Sequence, residues 1–458
     1  MDLLYAAAVA AATSIVPVMV VGDSYGNHHP YDDAAFNGES VCTAIRRGWS
    51  AAPFGAVIMG DTLPCSGISN AVTSASPGGV RVAVHVNSNQ TDMPSSVIDF
   101  TDQGGGTYGD PDRLCYVDMT RIASWDWDST FQYRLAFGLS PETDFPGYKD
   151  GPWYEGKQLE MRLMHRSRDS IANILRFRGW AAPKASSDGA FTGGGSAPGT
   201  QMTADTVIDA DEVHTTWQIA EGSNFSSNTC PVGSFPGMSI YHVGADISGH
   251  SHDFIEWGFV DSQATAGFDF VGAVSANGIN PTYLDGSAGQ QAGRPFTDAM
   301  IDDILSLKKF PKIIIVSFMD DGGEGSSANI AAYKTKCATL VARWNAGYTR
   351  AGRDLPVIWW IGPHGGTANP EPDDNFGRQD EVLHELATET ANMCYSSMYR
   401  RRDLVAGLGA TNVHLDSQAV ADAWWAILQA DMESGRPTSS SKPFRGRDFR
   451  RPGRRRAA

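Results

Sequence analysis

Ser24 is the residue of this sequence best placed to act as a nucleophile. It follows the apolar residues 16–21 and Gly22, in the stretch VPVMVVGDSYG. An apolar run of this length predicts a strand buried on both faces, and Gly22 allows the sharp turn with which the chain leaves it. Asp23 and Ser24 then follow at the carboxyl end of the strand, where open α/β sheets bind their ligands. There the serine hydroxyl can be exposed while its backbone N–H points to the same substrate atom.

A serine hydroxyl is a poor nucleophile until a base takes its proton, and histidine is the usual base. The chain has eleven histidines. His414 lies in NVHLDSQAVADAWWAIL, just before the last predicted helix, which Asp416 or Ser417 would cap. His364 lies in GPHGGTAN, after a predicted strand, and is the reserve candidate for the base.

Two stretches resemble sequence blocks of the SGNH (GDSL) hydrolases. VVGDSYG is similar to the first block, with Ser24 at the nucleophile, and the stretch from His414 is similar to the final block. The resemblance implies a serine esterase that works through an acyl-enzyme, without a metal or an organic cofactor. It also implies that His414 lies beside Ser24 at the carboxyl edge of a parallel sheet.

The final block departs from the family pattern at one position. The family usually has an aspartate three residues before the histidine, and here that residue is Thr411. The aspartate orients the histidine ring and stabilises its charged form. The chain is therefore expected to use a Ser24–His414 dyad or another acceptor, either a backbone carbonyl or Asp416.

The donors of an oxyanion hole are the least regular part of the resemblance. Such donors must be preset around the oxygen that becomes negative. The backbone N–H of Ser24 is the first, and the resemblance implies a second in FVGAVSANGIN, at Gly278 or Ala276. The third is normally the asparagine of a Gly-x-Asn-Asp block.

The stretch SFMDDGG stands where that third block is expected. Phe318 replaces the glycine and Asp320 replaces the asparagine, whereas Asp321 agrees with the family. A carboxylate at Asp320 would repel an oxyanion unless it is protonated. The alternatives are that Asn329 or Asn277 donates instead, or that the acidic stretch is only a turn that ends a strand.

The elements that must position these residues predict an α/β fold. Strands predicted at 16–22, 267–274, 312–318 and 356–362 alternate with helices, which is typical of a doubly wound parallel sheet of the SGNH or flavodoxin-like kind. Between them, residues 79–250 carry short alternating runs separated by turn residues, which predict an antiparallel β-sandwich or jelly roll. The predicted domains are a core of residues 1–78 and 251–433, an insert of residues 79–250, and a disordered tail of residues 434–458.

Apolar periodicity predicts five helices in the core. They cover residues 39–51, 296–310, 329–347, 379–399 and 417–432. The N-terminal stretch MDLLYAAAVAAATS has Asp2 where a signal peptide carries Lys or Arg, so an Ala-rich helix or lead-in segment is favoured there. No stretch has the roughly 20 apolar residues of a membrane-spanning helix.

Charge is distributed unevenly along the 458 residues. The chain has a net charge of −16, although its tail from Ser434 carries nine Lys or Arg residues against Asp448 alone. The acidic body disfavours a specific nucleic-acid partner, whereas the basic tail could bind an anionic surface. Six cysteines without a C-x-x-C pair disfavour a zinc knuckle. An extracellular or virion-associated location is favoured.

Three functions remain open from the sequence. The first is an esterase that removes acetyl or other acyl groups from a carbohydrate or another small ester. It rests on the resemblance, because SGNH enzymes acting on polysaccharides often carry accessory β-sandwich domains. The second is a non-catalytic carbohydrate-binding or structural protein of a virion or cell surface, which Thr411 and Asp320 favour. The third is a metal-dependent hydrolase using the paired histidines near residues 28 and 250, although neither pair has the spacing of a metal site.

Overall fold

A computed structural model shows the helices and strands that the polar and apolar residues of the chain form. The structure describes residues 1–22, 41–50, 54, 58–64, 80–86, 99–100, 117–118, 133–139, 154–167, 175–183, 200–201, 206–208, 218–221, 229–242, 252–275, 298–307, 310–318, 329–362, 375–401, 404 and 418–435.

Six strands form a parallel sheet at the centre of the molecule. Their order across the sheet is β2, β14, β1, β15, β16, β17. Every residue of β15 is buried, as expected of a strand covered on both faces. The four strands predicted for this sheet are confirmed. The bounds are β1 Ile15–Gly22, β2 Ile58–Pro64, β14 Gly267–Ser275, β15 Ile313–Ser317, β16 Val357–Ile361 and β17 Met393–Ser396.

Antiparallel strands extend this sheet beyond β2. In the described part of the chain, β13 pairs with β2, β7 with β13 and β11 with β7, while a short pair, β4 and β5, adds to β13. The bounds are β4 Asp99–Phe100, β5 Val117–Asp118, β7 Leu159–Ser167, β11 Gln218–Glu221 and β13 His252–Asp261.

A second sheet is wholly antiparallel. It takes the order β10, β8, β12, β6, β3, with β9 paired to β8. The antiparallel pairing of strands in residues 79–250 agrees with the sequence pattern. However, four strands of this range, β4, β5, β7 and β11, extend the central sheet and do not belong to a separate one. The bounds are β3 Val80–Val86, β6 Tyr133–Leu139, β8 Leu175–Pro183, β9 Thr200–Gln201, β10 Thr206–Ile208 and β12 Ser234–His242.

Helices cover both faces of the parallel sheet. The bounds are α1 Asp2–Ala10, α2 Val41–Ser50, α3 Asp298–Leu307, α4 Ile330–Arg350, α5 Asn375–Glu389 and α6 Gln418–Ser434, and a 3₁₀ helix spans Tyr399–Arg401. Helices α3, α4 and α5 pack on one face, whereas α6 packs against α1 and α2 on the other. Among the described residues, no helix is long and apolar enough to cross a membrane.

Adjacent tryptophans of β16 show how the two faces are filled. Trp360 packs with Phe318, Met19 and the helices α3 to α5. Trp359 points to the other face, 6.2 Å from Trp49 of α2 between ring centroids. Side chains of a strand alternate between faces, so neighbouring tryptophans can fill two separate cores. Both tryptophans are fully buried and belong to the hydrophobic core.

The helix predicted over residues 379–399 is wrong in its second half. Helix α5 ends at Glu389, and β17 follows after a short turn. The side chain of Asn392 donates to the carbonyl of Pro356 at 2.7 Å, and the Asn392 carbonyl accepts from the N–H of Ile358. These contacts hold the segment against β16, so sheet pairing overrides a helical preference that is only local.

A buried ion pair crosses the central sheet. Arg162 of β7 donates two hydrogen bonds of 2.9 Å to the carboxylate of Asp269 on β14, although β13 and β2 lie between them. Both side chains are largely buried. Gly60 makes room for this contact, since a Cβ there would lie 2.2 Å from Oδ1 of Asp269. The pair thus connects a strand of the predicted insert to the parallel core.

Candidate functional site

The carboxyl ends of five parallel strands lie in register. Gly22, the last residue of β1, pairs with Ser275 on one side and Ser317 on the other. Ser317 pairs with Ile361, and Ile361 with Ser396. Neighbouring strands are about 4.8 Å apart, so the five strand ends form one short row. The segments that follow them leave the sheet from a common edge.

The predicted site residues follow this row in the sequence. Ser24 comes two residues after Gly22, Gly278 three after Ser275, and Asp320 three after Ser317. His414 comes four residues before α6 begins. All of these residues lie outside the described part of the chain, so their roles stay predictions. The same holds for Asp23, Asp321, His364, Thr411 and Asp416.

The residues that end β15 have different surroundings. Phe318 is buried, with its ring centroid 6.1 Å from that of Trp360. Phe318 stands where the family block has a glycine, and its ring is part of the hydrophobic core beneath the row of strand ends. Ser317 points away from Phe318 and is fully buried, and its Oγ has no hydrogen-bond partner within the structure as described.

A polar cluster, formed by Asp380, Tyr395, Ser397 and Arg400, lies at the end of the row. The carboxylate of Asp380, in α5, accepts a hydrogen bond of 2.5 Å from the Tyr395 hydroxyl. It also accepts from the Ser397 hydroxyl and from Nε of Arg400. Asp380 is 1% exposed, so its charge depends on these three donors in place of water.

The polar cluster touches the backbone at the end of β16. A Cβ at Gly362 would lie 2.3 Å from the Tyr395 hydroxyl oxygen, so only glycine allows this approach. Burial and the nearby charge of Asp380 raise the pKa of Tyr395 well above its usual value. The hydroxyl therefore stays protonated and keeps donating. The cluster therefore packs directly against Gly362, which comes two residues before His364 in the sequence.

Replacing Tyr395 by phenylalanine is expected to lower the free energy of unfolding by about 2 kcal/mol, because the lost hydrogen bond ends on a buried charge. Tyr348→Phe is the matched control. Its buried hydroxyl donates to a neutral acceptor, the carbonyl of Pro311, and its loss should cost about 1 kcal/mol. Urea unfolding of both variants measures the difference. An equal or smaller loss for Tyr395→Phe would show that the carboxylate does not depend on this donor.

The sequence does not predict the polar cluster. Asp380 lies in a helix with other acidic residues, such as Glu381 and Glu385, so its residue type alone does not mark it. Its partners Tyr395 and Ser397 lie in the stretch predicted to continue that helix, and Arg400 comes directly after it. One signal is its position: Asp380 sits among the apolar residues Phe376, Leu383 and Leu386 on the buried face of α5.

In the described ranges, no group of three or more His, Cys, Asp or Glu side chains could hold a metal ion. The histidine pairs near residues 28 and 250 lie outside those ranges, apart from His252 at the start of β13.

Comparison with known proteins shows a shared fold and no sequence relative. No family model matches the chain, and no match is found among curated proteins. A structure of a peptidoglycan O-acetylesterase aligns with a TM-score of 0.51 and 10% identity, over 94% of this chain and 96% of that one. This alignment shows that the two chains share a mixed α/β fold.

Two further structures align less well. A family two carbohydrate esterase from Cellvibrio japonicus gives a TM-score of 0.25 and 8% identity, over 77% of this chain and 99% of its own. The C-terminal catalytic domain of peptidoglycan O-acetyltransferase A from Streptococcus pneumoniae gives 0.25 and 10%, over 38% and 82%. Both alignments are too weak to show a common fold.

Proposed function

We propose that this chain is a serine esterase of the SGNH type that removes acetyl or other acyl groups from a carbohydrate. The observation that carries the proposal is the row of strand ends. Gly22 and Ser317 are direct neighbours at the carboxyl edge of the sheet. Ser24 and the acidic residues after Phe318 follow these two strand ends within four residues, which is where ligands bind in open α/β sheets.

The proposed reaction begins with attack of the Ser24 hydroxyl oxygen on the ester carbonyl carbon. His414 takes the hydroxyl proton as the new C–O bond forms, and the carbonyl oxygen becomes negative. The backbone N–H of Ser24 and of Gly278 donate to that oxygen. The bond to the leaving sugar oxygen then breaks, and His414 returns its proton to that oxygen.

Water completes the cycle. It attacks the acyl-enzyme carbonyl while His414 again takes a proton, and the carboxylic acid and the Ser24 hydroxyl are released. The reaction consumes one water and needs no electron carrier. Thr411 cannot act as a carboxylate toward the histidine, so turnover is expected to be slower than with a full triad. Asp320 takes part only in its protonated form, or points elsewhere.

The acylated glycan is proposed as substrate because of the shared fold. The aligned esterase acts on peptidoglycan O-acetyl groups, as its name states, and its alignment extends over nearly the whole of this chain. We propose that residues 79–250, with their second sheet, form the β-sandwich part that presents the glycan to the edge of the parallel sheet.

Covalent labelling tests this function. The wild-type chain should hydrolyse p-nitrophenyl acetate and should react with a fluorophosphonate, which forms a stable bond only with an activated serine. Peptide mapping by mass spectrometry should place the label on Ser24. Absence of both hydrolysis and label would favour the non-catalytic carbohydrate-binding or structural function, and activity lost with a chelator would favour the metal-dependent one.

A further inference from the structure

Helix α1 is apolar on the side that faces solvent as well as on the side that faces the protein. Leu4 and Ala8 are buried against the core, whereas Leu3 is 52% exposed and Val9 47% exposed. No charged residue occurs between Leu3 and Gly22. A helix that is hydrophobic all round normally has neighbours on every side. The outer face of α1, defined by Leu3, Ala6 and Val9, therefore fits an apolar partner.

A surface groove adjoins α1. It has a volume of about 670 Å³ and is lined by Ala7 of α1 together with Lys312, Arg353 and Leu355. Leu355 is 47% exposed, and the guanidinium of Arg353 lies 4.9 Å from the centre of the Phe310 ring. Asp354 is the acidic residue among the groove's lining. The groove thus adds two cations to the apolar side chains.

The described part of the chain ends beside the first residues of α1. Gly435, the last described residue, packs against the start of α1, where an added Cβ would lie 2.5 Å from the carbonyl carbon of Met1. The 23 residues that follow it contain nine Lys or Arg residues and one acidic residue, Asp448. A strongly cationic segment therefore follows in the sequence from a residue that packs against the start of α1.

We propose that the outer face of α1 and the tail together dock on an anionic lipid bilayer. Leu3, Val9 and Leu355 enter the interfacial region, while the tail arginines bind lipid phosphates. The remaining chain is strongly acidic, so repulsion by the same surface keeps this corner of the molecule directed toward it.

The charges also decide between the bilayer and other occupants of this face. Two copies paired through α1 would bring two cationic tails together, which opposes a dimer. The phosphates of a nucleic acid would bind the cations of the tail, but the apolar side chains of α1 would remain in water. A bilayer with anionic headgroups accepts both the apolar side chains and the cations, and stable membrane anchoring takes two such signals.

Flotation with vesicles tests the proposal on the full chain. It should bind vesicles of phosphatidylcholine containing one-third phosphatidylglycerol and should not bind pure phosphatidylcholine. Leu3→Gln with Val9→Gln should weaken binding about tenfold, since the apolar contribution is lost. Val232→Gln with Leu404→Gln, two exposed apolar residues elsewhere, should leave it unchanged.

Neutralising the tail should have the larger effect. Changing five arginines to glutamine should weaken vesicle binding by at least about 100-fold, given the contribution of each cation near an anionic surface. The five are Arg450, Arg451, Arg454, Arg455 and Arg456. Failure to bind the anionic vesicles, or binding that the Leu3 and Val9 changes leave intact, would overturn the proposal. Binding of duplex DNA as strong as that of vesicles would identify the tail as a general polyanion-binding segment and would also overturn it.

Discussion

Ser24→Ala is expected to lower kcat/KM for p-nitrophenyl acetate by at least about 10⁴-fold, because it removes the atom that forms the acyl-enzyme. The fold should be unaffected, since an alanine fits wherever this serine does. Initial rates measured beside thermal unfolding would separate lost chemistry from lost structure. Ser306→Ala is the matched control, because Ser306 is an exposed serine of α3 that lines the groove with Lys312 and Val357, at the amino ends of β15 and β16 and not at the row.

The histidines identify the base in the same assay. His414→Ala should reduce turnover nearly as much as Ser24→Ala, because residues that act as one unit do not contribute additively. His364→Ala should have a small effect. A larger loss of turnover in His364→Ala than in His414→Ala would identify His364 as the base. Wild-type turnover in Ser24→Ala would exclude the proposed mechanism altogether.

Arg162→Met is expected to lower the free energy of unfolding by about 3–5 kcal/mol. The change leaves the carboxylate of Asp269, 4% exposed, without its two hydrogen bonds in the middle of the sheet. Urea unfolding followed by fluorescence would measure the loss. The double change of Arg162→Met and Asp269→Leu should recover much of it, because no buried charge then remains unpaired.

A second ion pair provides the control for this experiment. Lys157 lies 3.5 Å from Asp261, but its side chain is 40% exposed. Lys157→Met should therefore cost less than about 1 kcal/mol. Equal losses in the free energy of unfolding for Arg162→Met and Lys157→Met would show that the pair of Arg162 and Asp269 is solvated and does not hold β7 against the core.

The parallel core is largely predictable from the sequence because its signals are strong and local. The runs that form β1, β15 and β16 are almost continuously apolar, and the run that forms β14 is apolar apart from Asp269 and its final serine. Buried strands of parallel sheets need that composition. Helix α4 likewise has an unambiguous apolar face, from Tyr333 to Tyr348. Each of these elements is specified by residues within its own length.

The rest depends on partners far away in the sequence. Strand β17 has four residues, too few to show a period, and it is held by β16 and by Asn392. Strands β7 and β11 carry the same alternation as the strands of the second sheet. Their own residues do not indicate which sheet they join. The ion pair that connects β7 to the parallel core joins Arg162 to Asp269, 107 residues later in the sequence. The polar cluster around Asp380 is missed for another reason, because Tyr395 and Ser397 lie in the stretch that the pattern assigns to a helix.

The strand order of the parallel sheet has a consequence for synthesis on the ribosome. Strand β1 is made first, but its partner β14 follows about 250 residues later and β15 later still. At typical elongation rates of about 5–20 residues per second, its apolar residues wait roughly 10 to 50 seconds for a neighbour. During that interval the nascent chain presents an unpaired, hydrophobic strand to the cell. Chaperone supply is therefore expected to determine the yield of this protein in a heterologous host, and slower translation should make aggregation worse.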